Sequence, residues 1–539
     1  MRLAPLRTLC LLGLAAALLC AAPAAHAYNE TVHAFLTRKA FAGRAAWLAT
    51  PLAAPTAQDH VAFRARFWQL ASQAADPALG ADFLARFPTV GSLDAARFKE
   101  WLMLDPAARV HGLEPTPDDV TEALGTLLPL ASRWPDDDER NRHRYQRDAK
   151  GEIIRAPDGQ PLPFDPATLW MGSLTGPSSQ GHAHYGLLPP PLSDDPEVLK
   201  KDPRHFAIPA NIQTFGVEFA QLYTDLAQVA LHSEKPGGPW LAQAFAGASF
   251  HHIEDVANQI HTIQVGIFEF FEAAFLQSKL RDVKTLGGLL GERATLETLG
   301  LRLVTNHHLL LEDLFAKRVG EAEGKAGTRP LGSPVPQGVP QGVPQEVTQA
   351  IAGLDHDDAE LAGPARAAMA AARGQGANGD GETAALMRAL IDRSSLEGPE
   401  VYRLIWTLSA PTLHDGRGHE YKDGVDDPDQ FIAFDRPNAT ENLSKFYRLQ
   451  GQGLHRATTA LRLWQEAFDA EAASGGADQR AVDRILRVIT AYHREAAARR
   501  AAYLPKPLAA AMPVAWGYPA GALVVLLLGG ALLRRLMRR

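Results

Sequence analysis

The sequence predicts an all-α protein, and three observations carry that expectation. Apolar residues recur at three- and four-residue spacing in ETAALMRALIDR (382–393) and AVDRILRVITAYHREAAARRAAY (481–503), the period of a helix with one buried face. No series of alternating, β-branched segments joined by tight glycine turns stands out. The most chemically loaded stretch, GASFHHIEDVANQIHTIQ (247–264), sets His251 and Asp255 at the i, i+4 spacing of one helix face. At 539 residues the chain points to roughly two to four units, and its 46% hydrophobic content is enough for a substantial core. A net charge of −7 is mild for this length, so no electrostatic footprint for a stable nucleic-acid partner is present.

The N-terminal residues 1–27 order themselves as a secretory signal. Arg2 and Arg7 precede an apolar stretch that ends in Ala25-His26-Ala27, with cleavage expected after Ala27. Leu19 stands where a lipoprotein signal wants a small residue, which argues against lipidation at Cys20. Cys10 and Cys20 are the only cysteines, so the mature chain would carry neither disulfides nor thiolate metal ligands. Residues 28–317 follow, interrupted near 139–181 by a loop rich in Pro, Asp, Arg and Gly. The segment 318–347 contains a repeated Val-Pro-Gln-Gly and lacks a packing face, so it reads as a linker or a disordered loop of extended character. A second helical region, 348–510, carries no assignable motif.

Val514 to Leu533 then forms a run of 20 residues without a charge, followed by Arg534, Arg535, Arg538 and Arg539. Twenty residues at a helical rise span roughly the 30 Å hydrocarbon core. The arginines favour a cytoplasmic C-terminus, with the preceding chain anchored outside, in a periplasmic or other extracytoplasmic location.

The candidate site lies before the linker. On a helix His251 and Asp255 can share a metal, while His261 lies about 80° round from His251, so one ion need not hold all three and a pair of neighbouring ions could. His308 and Glu312, in TNHHLLLEDLF, form a second pair four apart. Neutral imidazole and carboxylate are what zinc takes when no thiolate is available. One such pair alone is ordinarily a surface feature. His252 points to another face than His251 and reads as a supporting or surface residue. Asp423, Asp426, Asp427 and Asp429 lack EF-hand spacing and read as a solvated loop.

The mature N-terminus adds the deciding pattern. Cleavage after Ala27 exposes Tyr28, with His33 five residues on and an apparent helix, AFLTRKAF, after it. LLPLASRWPDDDERNR then offers Asp136, with Asp137 as second choice, and SSQGHAHYGL offers His184 ahead of His182. Taken in order, these motifs resemble the zinc-dependent phospholipase C and S1/P1 nuclease superfamily over residues 28–317. Tyr28 stands where that family usually has Trp, and Gln259 where it often has Pro. The interval from His261 to His308 is also long and implies an inserted segment at 268–299.

The resemblance implies a trinuclear zinc site. Asp136, His184, His251 and Asp255 would hold one ion, and His261, His308 and Glu312 a second. The third would bind the amino group and carbonyl of Tyr28 together with His33, with Asp255 bridging. It further implies hydrolysis of a phosphodiester by zinc-activated water, with Asp136 orienting or deprotonating that water. Glu312 and the membrane anchor lean towards a phospholipase C-like activity on phospholipids. The short interval from Tyr28 to His33 leans towards a nuclease or 3′-nucleotidase. A non-catalytic envelope scaffold with a degenerate zinc site is the remaining alternative. Oligomeric state is not legible.

Overall fold

The computed structural model describes residues 30–41, 53–103, 112–113, 120, 127–135, 186, 216–233, 235–262, 310–324, 342–376, 379–409 and 427–503. All regular structure among them is helical, and the one β-like feature is an isolated antiparallel bridge between Ser409 and Ile432. In chain order the helices are α1 (Glu30–Phe41), α2 (Ala57–Ala71), α3 (Pro77–Arg86), α4 (Ala95–Met103), α5 (Leu127–Ala131), α6 (Gly216–Leu231) and α7 (Gly238–Ala257). They continue as α8 (310–322), α9 (Gln345–Gly353), α10 (Ala359–Gly374), α11 (Glu382–Ser394), α12 (Gly398–Leu408), α13 (Ala439–Ala472) and α14 (Ala477–Tyr503).

Local chemistry accounts for several of the boundaries. Thr56 and Asp59 form a reciprocal capping box that starts α2. Asp76 accepts from the Ala78 N–H, and Pro77 opens α3 where a missing N–H costs nothing. The periodic segments 382–393 and 481–503 are helical as expected, within α11 and α14.

The architecture is organised around α7. Its sequence, GPWLAQAFAGASFHHIEDVA, has no polar stripe over its first three turns, so it has no face to give to water. Every residue of α7 except Pro239 is buried. The preceding helix α6 pairs with it as a hairpin, and α5, α11 and α13 close over the other sides. The 34-residue α13 runs through the interior and packs against α1, α7, α9, α10, α11 and α12. Where α6, α7, α11 and α13 meet, the Trp464 Nε1–H donates to Thr224 Oγ1 at 2.8 Å, and the Thr383 and Ser249 hydroxyls lie 3.2 and 2.9 Å from the same oxygen. A buried polar cluster satisfied in this way specifies one packing arrangement rather than weakening the core.

The described residues up to His493 belong to one compact unit, and residues 494–503 are the described end of α14. Helices from both sides of the expected linker contribute to a single hydrophobic core, with Val32, Phe250, Leu461 and Ile485 among its fully buried members. α8 runs through the boundary expected between 317 and 318. The reason lies in tertiary partners: Arg318, 2% exposed, pairs with Asp429 and donates to Tyr447 Oη, while Val319 is fully buried.

Two acidic residues depart from the sequence reading. Asp427 and Asp429 are not part of a solvated loop; both are buried, beside the 3₁₀ turn Pro428–Phe431. The Lys317 ammonium bonds to both carboxylates and the Arg318 guanidinium bonds to Asp429, so side-chain cations neutralise them in place of calcium. Among the described residues no helix is long and apolar enough to cross a membrane. The span expected at 514–533, the signal at 1–27, the loop at 139–181 and the insert at 268–299 lie outside the described residues.

Candidate metal centre

Four ionisable residues, His251, His252, Glu254 and Asp255, sit within about one turn of the buried helix α7. Burying a charge without compensation is prohibitively costly, so each must be explained by what it touches.

The geometry begins with a glycine. At Gly247, α7 approaches α5 so closely that a Cβ would lie 2.4 Å from Ala131 Cβ. His251 is one turn further along the same face and therefore reaches the end of α5, where its Nδ1 lies 2.8 Å from the Ser132 carbonyl oxygen. A carbonyl only accepts, so Nδ1 carries a hydrogen and the neutral ring presents its lone pair at Nε2.

His33 on α1 is held by the same logic with a different partner. Its Nδ1 lies 2.6 Å from Glu254 Oε2, and the Thr37 hydroxyl, one helical turn along α1, donates to Glu254 Oε1 at 2.9 Å. Burial pushes the Glu254 carboxyl well above the usual carboxylate range; the Thr37 hydrogen bond opposes that, and the adjacent Asp255 adds to it. With Glu254 Oε2 as the acceptor, His33 Nδ1 is the donor and Nε2 again turns outward as a lone pair. A divalent cation beside these residues would favour the ionised carboxylate against the effect of burial.

Both Nε2 atoms face Asp255. His33 Nε2 is 3.5 Å from Asp255 Oδ1, and His251 Nε2 is 3.3 Å from Asp255 Oδ2, with all three side chains fully buried. One ligand atom from each residue lies within 4.8 Å of the other two. Lone pairs and carboxylate oxygens at these distances repel one another unless a proton or a metal ion lies among them. Protonating both rings would stack two buried cations with centroids 4.2 Å apart and planes 28° from parallel. A proton on one ring pairs that ring with Asp255 and leaves the other Nε2 facing the same carboxylate, whereas a divalent ion engages both rings and the carboxylate. Two imidazole nitrogens and a carboxylate are also the donor set that zinc takes. The residues present fit the ion.

A second pair lies at the C-terminal end of α7. His261, on the 3₁₀ turn Gln259–Thr262, places Nε2 3.4 Å from Glu312 Oε1 on α8, and both are buried. His252 is not at the surface. It stacks on Tyr223 and Phe219 of α6, with centroids 5.7 and 6.0 Å away, and its Nδ1 stands 4.0 Å from Asp255 Oδ2.

Of the expected ligands, the structure brings together His33, His251 and Asp255 as one group and His261 with Glu312 as another. Tyr28, Asp136, His184 and His308 lie outside the described residues. The nearest described neighbours of Asp136, His184 and His308, which are Pro135, Gly186 and Leu310, are buried, and the Gly186 N–H donates to the His261 carbonyl at 3.1 Å. The residues that sequence reasoning missed are Glu254, Thr37, Ser132 and Gly247. One signal for Glu254 was available: an acid buried in an apolar helix directly beside an expected ligand.

Comparisons with protein-family models, with curated proteins and with solved structures return no match for this chain.

Proposed function

We propose that the chain is a zinc-dependent phosphodiesterase of the phospholipase C and S1/P1 nuclease type, exported and anchored by its C-terminal segment, with phospholipids as the favoured substrate class. One observation carries the reading. Two buried histidines are each locked at Nδ1 by an acceptor, so both aim Nε2 at a single buried aspartate. A structural ion pair needs one such contact; three converging donors are what a divalent ion needs.

In this reading His33, His251 and Asp255 hold one part of a three-zinc centre, and His261 and Glu312 another. Tyr28, Asp136, His184 and His308 complete the set. Bound zinc would supply Lewis acidity towards phosphate oxygens and lower the pKa of water near it. The chain's own residues do the rest. Glu254 and the Ser132 carbonyl orient the two imidazoles, the apolar packing around α7 keeps bulk water from the ligands, and Asp136 would orient or deprotonate the attacking water. The carboxylate Glu312 favours the lipid branch of the resemblance. The five-residue step from Tyr28 to His33 favours the nuclease branch, which is the second reading.

Metal analysis of folded protein shown to begin at Tyr28 tests this. Close to three zinc ions per chain, with hydrolysis of phosphatidylcholine vesicles exceeding that of single-stranded DNA, is the expected result. The reverse preference would move the substrate to nucleic acid. Folded protein without zinc would sink the hydrolase reading and leave the scaffold.

A further inference from the structure

The 3₁₀ turn that carries His261 has little backbone structure of its own. α7 ends at Ala257 because Asn258 leaves the helical region, with φ −71° and ψ 117°. The turn is held by His261 N–H donating to the Asn258 carbonyl at 3.1 Å, by the Gly186 N–H donating to the His261 carbonyl at 3.1 Å and by the Thr262 hydroxyl donating to the Gln259 carbonyl at 2.7 Å. A turn this short does not by itself fix the direction of a side chain to the few tenths of an ångström that a metal ligand requires.

Gln259 supplies the missing constraint. It is fully buried, and its amide is used on both ends. Its Nε2 donates to the Leu449 carbonyl on α13 and, at 3.1 Å, to Glu397 Oε2 at the start of α12. Its Oε1 accepts from Gln450 Nε2 at 3.0 Å. Glu397 is itself gripped by Arg456 of α13, which is 1% exposed. At three residues per turn, positions 259 and 261 project about 120° apart, so pinning one sets the rotation of the other. All of these anchors lie beyond residue 348, in the region whose sequence offered no role.

We infer that Gln259 is a positioning residue for His261, and that the helical region from 348 onward serves the metal centre by holding this turn in register. The inference rests on the zinc reading above. The test uses the whole processed chain, with cobalt(II) as a visible probe and a competing chelator to read affinity. Wild type is compared with Gln259→Ala and Gln450→Ala. In both variants one ion should bind at least about 10-fold more weakly, with a shifted absorption band, as loss of an outer-shell contact typically produces. The ions held by His33, His251 and Asp255 should keep their affinity and serve as the internal control.

Wild-type affinity and band at every ion in folded Gln259→Ala would overturn the inference. Equal weakening of all ions, in step with a fall in Tm, would also overturn it, since ordinary core packing predicts that. Should Gln259→Ala not fold, Gln450→Ala decides, because it removes a single bond. Wild type that takes up no ion would refute the zinc reading and this inference with it, an outcome distinct from loaded wild type with indifferent variants.

Discussion

Glu254 and Gly247 show how much of the candidate centre depends on residues that would touch no ion. Glu254 holds His33 at 2.6 Å from beneath, and Gly247 lets α5 come near enough for Ser132 to hold His251. Glu254→Gln keeps one acceptor oxygen but puts a donating amide in place of the second, so His33 Nδ1 and the Thr37 hydroxyl can no longer both be accepted. We expect about 10-fold weaker zinc binding with the fold intact, read by chelator competition and circular dichroism. Gly247→Ala forces a Cβ into the α5 backbone, where Ala131 C and Ser132 N lie 2.9 and 3.0 Å away. It should cost about 1–3 kcal/mol in urea unfolding, and zinc affinity should fall with it. His33, His251, Asp255, His261 and Glu312 were legible in the sequence because helical spacing and the predicted cleavage site mark them. Glu254, Ser132 and Gly247 were not, because their roles arise only when α1, α5 and α7 meet.

At the scale of elements, α12 and α13 are joined at the surface by Glu400, which accepts from Arg403 on its own helix and from Lys445 across the interface. The Arg403 hydrogen bonds, reinforced by Lys445 against an opposing effect of burial, lower the Glu400 carboxyl from its ordinary 4.5 to about 2. Its carboxylate is thus more acidic folded than unfolded. The stabilisation is fully present above pH 4.5 and is lost as pH falls towards about 2. Because the site is partly exposed, that contribution should be no more than about 1 kcal/mol. Glu400→Gln should therefore fall below wild type at neutral pH and converge on it as pH falls towards about 2, in melts run from about pH 2 to about pH 7. An unchanged difference across that range would contradict the assignment.

Helices such as α11 and α14 were legible in the sequence because one apolar face writes a clear period. The aspartates at 427 and 429 were misread because the cations that neutralise them, Lys317 and Arg318, lie more than 100 residues earlier, and charge patterning is local.

For the whole molecule, the expected division into a catalytic domain and a separate helical region meets a shared interior. α13 packs on α1 and α7, and α11 packs on α6 and α7. A fragment ending at residue 324 would strip α11 and α13 from α6 and α7, and Trp464 from the fully buried Phe250 ring. We expect such a fragment to aggregate or to stay unfolded by circular dichroism, and the full processed chain to be soluble in detergent; a cooperative melt from the fragment would show that the first segment folds alone.

The pairing of α1 with α13 also sets a schedule. The chain between them is about 400 residues long, and synthesis at roughly 5–20 residues per second leaves α1 waiting about 20–80 s for its partner. For the second half of that interval, after its own synthesis, α7, apolar on nearly every side, lacks the α11 and α13 surfaces that cover it. Nascent chains in this condition are the natural clients of holding chaperones, and the protein's yield should depend on them more than its final stability does.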